Sequence, residues 1–392
     1  VSSMNGFKGE RLQFDHRMPS EDSNVAQLRS LVAADLAPYY DTHFNLLRWI
    51  QAFPDDPIEK VAQRLRHHLL FRASSWNVDS MHSTKHDNHP FHCHWPIVNV
   101  GRSGVIDNCI VLVEQPGHID YVGIFDRYSV TDIVKAKVHD AEATLASMME
   151  MEKETGQQAS IIMVIDAEGL DYTSKALIDL VRGPMTTLSG FLLGHYVELL
   201  HSIVVVNVPS WASAIWSMVK PLLPERSRAK LRILSSSSWR DEITAFMDPS
   251  VCPTFWCDKN HNEFKNRMER PPKFHRAKVE KNRDDKRDKL QVKAGQVHWM
   301  EYKLEKGEAL SFSVMGSGMF GFTIVRAESG QEENIYAMRT IHPMLATIHG
   351  PLKVPIEDTV VAPEAGLYKV WLSNERAWWS SLTVQYSIKV SK

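Results

Sequence analysis

The sequence predicts three structural parts in order: an all-α unit, an α/β domain with a mostly parallel sheet, and an all-β sandwich. Changes in the spacing of apolar residues along the 392-residue chain support this order. The spacing is helical in 25–76, apolar strands alternate with helices in 77–260, and apolar and polar residues alternate in 290–392. We interpret the polar residues 1–24 as a flexible N-terminus and residues 261–289 as a linker.

The composition is that of a globular protein with a sizeable core, and it argues against several functional classes. Hydrophobic residues make up 43% of the chain and the net charge is −2, whereas a dedicated nucleic-acid-binding domain is usually strongly basic. Four unevenly spaced cysteines fit a reducing compartment better than a disulfide scaffold. Residues 1–23 have no signal-peptide pattern, and the sequence has no run of ~18 apolar residues. We therefore expect a cytoplasmic protein without a membrane span.

The predicted all-α unit contains three helices whose ends carry recognisable signals. Pro38 ends the first helix, because proline cannot continue the backbone hydrogen-bond ladder. Asp41 or Thr42 begins the second helix as its N-cap. Asp56 and Pro57 begin the third, since an aspartate caps the free N–H groups and a proline suits the first turn.

Two apolar runs, at 161–166 and 203–206, predict parallel strands in the α/β domain. Their β-branched content is typical of strands that are buried on both faces. A helical pattern at 130–154 precedes the first run, and this alternation favours a mostly parallel sheet. Asn207 and Pro209 end the second strand, because proline cannot donate to a ladder.

The segment 211–223 predicts a helix that is apolar around most of its circumference. Such a helix is a core helix, a membrane-facing helix or the wall of an apolar cavity. It is too short to span a bilayer, which takes ~20 residues. The residue types alone favour the core helix and leave the cavity wall open.

From Leu290 onward, short strands of period two and frequent glycines predict the β-sandwich. The alternation is plainest at 310–314, 320–324 and 382–390. The preceding residues, 270–289, include nine basic and four acidic side chains. We interpret this stretch as a solvated linker, with contact to anionic lipid headgroups as the alternative.

Four motifs follow one another in the α/β domain: Ile-Asp-x-Glu-Gly-Leu at 165–170, Tyr-Val-Glu at 196–198, Asn-Val-Pro at 207–209 and Lys-Leu-Arg-Ile-Leu at 230–234. Taken in this order, they resemble the motifs of CRAL-TRIO (Sec14-like) lipid-binding domains. The resemblance implies that helix 211–223 is a mobile gate over a lipid cavity. The residues that would line the cavity lie on this gate and on the neighbouring strands: Ile162, Val164, Ile203, Val205, Trp211, Ile215, Trp216, Met218, Val219 and Leu222.

Two further motifs lie in the C-terminal region, Gly-Glu-Ala-Leu-Ser-Phe-Ser-Val at 307–314 and Ala-Gly-Leu-Tyr-Lys-Val-Trp-Leu-Ser-Asn at 365–374. Their pattern resembles that of a GOLD domain. A CRAL-TRIO domain followed by a GOLD domain is the layout of animal Sec14-like proteins. This layout implies a protein partner for the sandwich and a peripheral location on endomembranes, in vesicle trafficking.

The resemblance also implies a site for the lipid headgroup. Glu198 matches a glutamate that holds phosphatidylinositol in the family, Lys230 matches a lysine just after the gate, and Ser227 stands where a threonine is usual. Hydroxyl and ammonium groups suit phosphate, and a carboxylate suits inositol hydroxyls. The simpler interpretation is that Glu198 and Lys230 are surface charges and that Ser227 belongs to a turn.

The chain departs from the phosphatidylinositol-binding pattern at three positions. Val197 replaces the usual proline, and Gln51 and Phe53 replace an arginine pair that follows Arg48 in the family. Phosphatidylinositol or another phospholipid is the favoured ligand, and a tocopherol-like or retinoid-like neutral lipid is the alternative. A non-catalytic trafficking scaffold with a vestigial cavity is a further alternative.

Metal and enzyme chemistry find little support in the sequence. The segment 82–94 holds five histidines and one cysteine, which zinc accepts, but a second ligand cluster is missing, and we interpret the segment as a solvated loop. The sequence contains no G-x-S-x-G, P-loop or HExxH motif. Asp166 and Glu168 follow a strand as an acid–base pair would, but they are structural in the family. We predict a non-enzymatic protein without metal or cofactor, whose partners are one lipid and a transient membrane surface, and not nucleic acid.

Overall fold

A computed structural model describes residues 19–83, 91–171, 178–179, 181, 183–208, 228–270, 287–327, 335 and 338–392. It contains two compact units, Val1–Arg66 and His67–Lys392. The second unit includes both the α/β region and the C-terminal sheets. Among the helices of the described residues, none combines the length and the apolar character that a membrane crossing requires.

The first unit is helical, as predicted, and its second helix begins at a predicted cap. The helices are α1 (Pro19–Val32), α2 (His43–Ala52) and α3 (Ile58–Arg72), the last of which continues past Arg66. Thr42 is the N-cap of α2, because its Oγ1 accepts a hydrogen bond from the Asn45 N–H at 3.1 Å.

The α/β region follows the predicted alternation of strands and helices. Its elements are α4 (Phe91–His94), β1 (Val98–Arg102), β2 (Cys109–Glu114), α5 (Tyr121–Arg127), α6 (Val130–Thr155), β3 (Ser160–Asp166), α7 (Pro184–His195), β4 (Leu200–Val206), β5 (Leu231–Ile233) and α8 (Trp239–Ile243). The strand order is β1-β2-β3-β4-β5, in which β2 to β5 are parallel and β1 is antiparallel to β2. The predicted, mostly parallel sheet is confirmed.

The end of the histidine-rich segment is anchored to the core, although we expected a solvated loop. Phe91 and Trp95 are buried. The Lys137 ammonium donates to the Trp95 carbonyl at 2.9 Å and to the Asp140 carboxylate at 2.9 Å. His92 lies 3.2 Å from the same carboxylate. The two aromatic side chains thus hold α4 against α6, because burying large apolar rings outweighs the polarity of the histidines.

The C-terminal region is a sandwich of two antiparallel, four-stranded sheets, which confirms the predicted all-β architecture. The strands are β6 (Asp288–Val292), β7 (Val297–Leu304), β8 (Ala309–Gly316), β9 (Phe320–Arg326), β10 (Arg339–Ile348), β11 (Ile356–Val361), β12 (Gly366–Ser373) and β13 (Leu382–Ser391). One sheet has the order β10-β9-β12-β7 and the other β11-β8-β13-β6. Strand β6 begins inside the predicted linker. It escaped prediction because it is an edge strand in which only Val292 is fully buried.

The sandwich shares one apolar core with α7 of the α/β region and with the segment that follows α3. Trp76 and Phe191 belong to the same buried cluster as Phe312 of β8. The Trp76 indole N–H donates to the Asp358 carboxylate at 3.0 Å, and the Ser75 N–H donates to the Ile341 carbonyl at 2.7 Å. The sandwich is therefore packed against the α/β region and not only tethered to it.

Candidate functional site

One face of the parallel sheet is completely covered, and we call it the closed face. Its residues are Val111, Val113, Ile162, Val164, Val204 and Val206, which are at most 1% exposed. Trp239 of α8 and Trp256 pack in the same cluster, with their rings edge-to-face at 5.3 Å. This face is part of the hydrophobic core.

Asp166 is the last residue of β3, and its side chain anchors this end of the strand on the side of the closed face. Its carboxylate accepts hydrogen bonds from the Trp256 indole at 2.8 Å, the Asn207 amide at 2.7 Å and the Glu168 N–H at 3.1 Å. Asp166 is 1% exposed, so these donors offset the cost of burying a charge. The Glu168 carboxylate pairs with Arg270. The two carboxylates thus have separate structural partners.

The other face of β3, β4 and β5 is only half-covered, and we call it the open face. Met163, Ile165, Ile203, Val205 and Leu231 are each half-buried. Ile233 is 45% exposed. Strand register sets these side chains on one surface, because Met163 pairs with Ile203 and Ile203 with Leu231. On the neighbouring β2, Leu112 is buried, so the face opens toward β5.

The four predicted cavity residues on strands do not line one surface. Ile162 and Val164 lie on the closed face, while Ile203 and Val205 lie on the open face. The register explains the separation, since Val164 pairs with Val204 and not with Val205. The apolar run at 203–206 also alternates between half-buried and buried residues, whereas we expected burial on both faces.

The predicted gate lies in a part of the chain that the structure does not describe. The same is true of one predicted headgroup residue. These predicted residues lie outside the described residues: Trp211, Ile215, Trp216, Met218, Val219, Leu222 and Ser227.

The other two predicted headgroup residues form an ion pair. The Lys230 ammonium donates to a Glu198 carboxylate oxygen at 2.8 Å, with 27% and 21% of the side chains exposed. Glu198 stands just before β4 and Lys230 just before β5. The Ile203 N–H donates to the Lys230 carbonyl at 3.0 Å. The charged pair therefore lies at the amino edge of the strands that form the open face.

The backbone at Glu198 is strained. Its φ is 50°, in the left-handed region that favours glycine. Strain of this kind persists where the surrounding structure over-determines a residue, and it clusters at functional sites.

A buried polar cluster holds the chain that leads into Glu198. The Arg72 guanidinium binds both Glu142 oxygens, at 2.7 and 2.8 Å, and it binds Asp79 at 2.5 Å. Burial alone would lower the pKa of Arg72, but Glu142 and Asp79 raise it. The Tyr196 hydroxyl donates to Glu142 at 2.8 Å. This cluster positions Tyr196, two residues before Glu198.

The sequence analysis missed several residues around the open face. Met163, Ile165 and Leu231 share the surface of Ile203, and strand parity across the predicted register was the signal that could have identified them. His201 lies beside the charged pair. Burial lowers the pKa of His201, and the positive charges of Lys230 and Arg232 lower it further. The lowered pKa favours the neutral imidazole.

Phe53, which the resemblance places at a position where the family has an arginine, packs as an apolar side chain. Phe53 stacks on Trp49 with ring centroids 6.3 Å apart, and the Arg64 guanidinium lies 4.3 Å from the Phe53 ring. Arg48 is 2% exposed and donates to the Asn45 side chain at 3.2 Å. Phe53 therefore packs within its unit where the family carries an arginine.

The predicted histidine cluster is described only in part. His86 and His89 lie outside the described residues, and His92 pairs with Asp140. Within the described ranges, no group of three or more His, Cys, Asp or Glu side chains is arranged to hold a metal ion.

Family models match three parts of the chain. Residues 106–256 match the CRAL/TRIO domain. Residues 273–392 match a model described as the F28H7_8_C:-like C-terminal domain, and residues 19–81 match a domain of unknown function, DUF8435.

Known proteins resemble the chain at low identity. The CRAL-TRIO domain-containing protein F28H7.8 of Caenorhabditis elegans is 28% identical over 234 residues, which are 59% of this chain and only 56% of that relative. The protein ctg-1 of the same organism is 22% identical over 385 residues, 94% of this chain and 96% of ctg-1. The crystal structure of Sfh5 is 16% identical, with a TM-score of 0.49, over 66% of this chain and 94% of Sfh5.

The match of residues 106–256 to the CRAL/TRIO domain confirms the predicted resemblance. The sandwich is confirmed as a β-rich C-terminal domain, while its resemblance to a GOLD domain stays a prediction.

Proposed function

We propose that this CRAL-TRIO protein binds one lipid and transfers or senses it. The hydrocarbon would lie on the open face, and the headgroup at the ion pair of Glu198 and Lys230. The observation that carries the proposal is the half-covered apolar surface that adjoins this charged edge. A folded protein rarely leaves such a surface without a ligand or partner.

The dimensions of the open face support an acyl chain as its occupant. A strand rises about 3.3 Å per residue, so the seven residues of β4 (Leu200–Val206) span roughly 20 Å. One leaflet of a bilayer has a hydrocarbon thickness of about 15 Å, half of the ~30 Å core. One strand length thus suffices to cover an acyl chain.

Phosphatidylinositol is the headgroup that we favour. Lys230 has three N–H donors, of which Glu198 takes one, so donors remain for a phosphate. Glu198 supplies carboxylate oxygens for inositol hydroxyls. The proposed gate, helix 211–223, would close over the lipid, and membrane contact would shift its population toward the open state.

A neutral lipid is the second candidate. Phe53 occupies a position where the family carries an arginine, and it packs with Trp49 as an apolar residue. A tocopherol-like or retinoid-like ligand needs no phosphate contact. In either case, we propose a peripheral role on endomembranes, with a protein partner for the C-terminal sandwich.

Native mass spectrometry tests the proposed function. The protein is incubated with vesicles that contain several phospholipids and is then separated from them. We expect one lipid per chain, and its mass identifies the class. A protein that emerges empty, and that also carried no lipid when purified, would be a scaffold with a vestigial cavity and would contradict the proposal.

Two variants, each of which replaces one lysine, test the proposed headgroup site. We expect Lys230→Ala to reduce transfer of phosphatidylinositol about tenfold, through the loss of one charged hydrogen bond, and to leave transfer of a tocopherol, which has no phosphate, nearly unchanged. Lys60→Ala is the matched control, because Lys60 also forms an ion pair, with Asp56 at 2.7 Å, in the first unit. Equal losses for both lipids would refute the assignment of Lys230 to the headgroup.

A further inference from the structure

Two adjacent tryptophans of the C-terminal sandwich are almost fully exposed. Trp378 is 85% exposed and Trp379 is 94% exposed, in the turn between β12 and β13. In the described part of the chain, the next most exposed large apolar side chain is Val361, at 55%. An indole buries 150–250 Å² when it is covered, so leaving two of them in water is costly. This exposure calls for a functional explanation.

The turn that carries the tryptophans is held by hydrogen bonds at its base. Asn374 is 3% exposed, and its side-chain amide donates to the carbonyls of Val292 and Ser380, at 3.0 Å each. The Asn374 N–H donates to the Gln296 carbonyl at 2.8 Å, and the Ala377 N–H donates to the Asn374 carbonyl at 3.1 Å. The rings are thus presented by an ordered turn.

The turn lies at the same end of the sandwich as the β10–β11 connection. Backbone hydrogen bonds place the β6–β7, β8–β9, β10–β11 and β12–β13 connections at one end: the N–H groups of Gly295, Ser317 and Leu352 donate to the carbonyls of Asn374, Thr383 and Gly316, at 3.0, 2.9 and 3.1 Å. The β10–β11 connection touches the CRAL-TRIO domain. His349 lies 2.8 Å from the Thr187 hydroxyl, and Lys353 pairs with Asp126 at 2.7 Å.

The chemistry of this end suits a phospholipid surface. Tryptophan places an apolar ring beside a polar N–H, and it is enriched where the headgroups of a bilayer meet the acyl chains. Lys293 and Arg376, both exposed, flank the turn and outnumber the one exposed acidic side chain there, Glu375, so the turn carries a small net positive charge that anionic headgroups attract. A narrow protruding turn penetrates a soft bilayer interface, whereas a protein partner would have to offer a matching cleft.

From these observations we infer that the Trp378–Trp379 turn inserts into the interfacial region of a phospholipid bilayer and docks the protein there. Docking at this end brings the CRAL-TRIO domain close to the membrane from which a lipid is taken. Only this last step rests on the proposed function, since the insertion itself requires no lipid cavity.

Vesicle binding tests the inference. The full chain is mixed with vesicles of phosphatidylcholine and a minor fraction of phosphatidylserine, and the bound fraction is measured by flotation. We expect the double variant Trp378→Ala/Trp379→Ala to bind at least about tenfold more weakly. Its thermal unfolding should be unchanged, because the two rings bury little surface. Val361→Ala is the control, since Val361 is the exposed apolar residue at the opposite end of the sandwich and should leave binding intact.

Undiminished vesicle binding by the double variant would overturn the inference. So would a change in oligomeric state without a change in vesicle binding, because a second copy of the chain would then be the partner. A second experiment separates membrane docking from the proposed lipid binding. In it, the wild-type protein and the double variant are each loaded with a short-chain phospholipid that is supplied as monomers. Both proteins should load equally, and failure of both to load would refute the proposed function while the flotation result stands on its own.

Discussion

The two faces of the parallel sheet have the same kind of side chains and opposite surroundings. Val204 on the closed face is 0% exposed, whereas its neighbour Val205 on the open face is only half-buried. Trp239 and Trp256 cover the closed face. The difference teaches that apolar residue type alone does not separate a covered face from a half-covered one, and that strand parity does.

Under the proposed function, the closed face contributes stability and the open face binds the ligand. Closed-face residues lose contact with water when the chain folds, so they contribute to the free energy of folding at about 25 cal/mol per Å². Open-face residues keep part of their surface in water. That remaining surface is available to a ligand, and its burial contributes to affinity.

The largest expected effect is on the closed face. Trp256→Ala should lower the free energy of unfolding by about 3–5 kcal/mol, because it removes a buried ring and leaves Asp166 without its indole donor. Denaturant unfolding measures the loss. Trp379→Ala is the control and should change stability by less than about 0.5 kcal/mol, since its side chain is 94% exposed. Similar losses in the two variants would contradict the contrast between covered and uncovered side chains.

Lowering the pH should reduce the free energy of unfolding of the second unit through His342, which lies in the sandwich and on neither face of the parallel sheet. Burial lowers the pKa of His342 to about 4, against the opposing effect of Asp358, while an unfolded histidine titrates near 6.5. The unfolded chain therefore takes up a proton at a higher pH than the folded chain. The contribution of His342 to stability should be constant above pH 6.5 and fall by on the order of 3 kcal/mol as the pH drops toward 4.

His342→Phe sharpens the acid experiment. The free energy of unfolding of this variant should depend less steeply on pH between 6.5 and 4, by about one proton. His68 and His195, whose pKa values burial also lowers well below the usual range, keep a residual dependence in the same direction. An unchanged slope would mean that His342 does not titrate on unfolding as described.

The smallest stability effects compare neighbours on one strand. Val204→Ala should lower the free energy of unfolding by roughly 1.5–3 kcal/mol, because it removes two buried carbon groups and leaves a cavity. Val205→Ala should lower it by less than about 1 kcal/mol. For lipid loading the order should reverse, with Val205→Ala the more affected. Thermal unfolding and native mass spectrometry on the same samples give both quantities. Equal stability losses would show that the two faces are equally covered.

Much of this architecture could be predicted from the sequence, because it follows from periodicity and capping. The Thr42 cap, the parallel sheet and the β-sandwich were predictable in this way. The ordered motifs assigned Glu198 and Lys230 to one site, and in the structure the two side chains form an ion pair. Their role in holding a headgroup stays a prediction.

The face of each strand residue could not be predicted from the same information. An unbroken apolar run such as 203–206 has no polar residue to mark its parity, so Ile162 and Ile203 were assigned to one cavity although the register separates their faces. Strand β6 was missed because its charges resemble those of the linker before it. The exposure of Trp378 was not predictable, since aromatic residues in a sandwich are usually buried.

Photo-crosslinking tests the central claim most directly. A phospholipid with a photoreactive group in its acyl chain is loaded into the protein, and the labelled peptides are identified by mass spectrometry. The account predicts label on peptides that contain Ile203, Val205 or Leu231 of the open face. Label confined to α8 and Trp256, which cover the closed face, or to the C-terminal sandwich would contradict it.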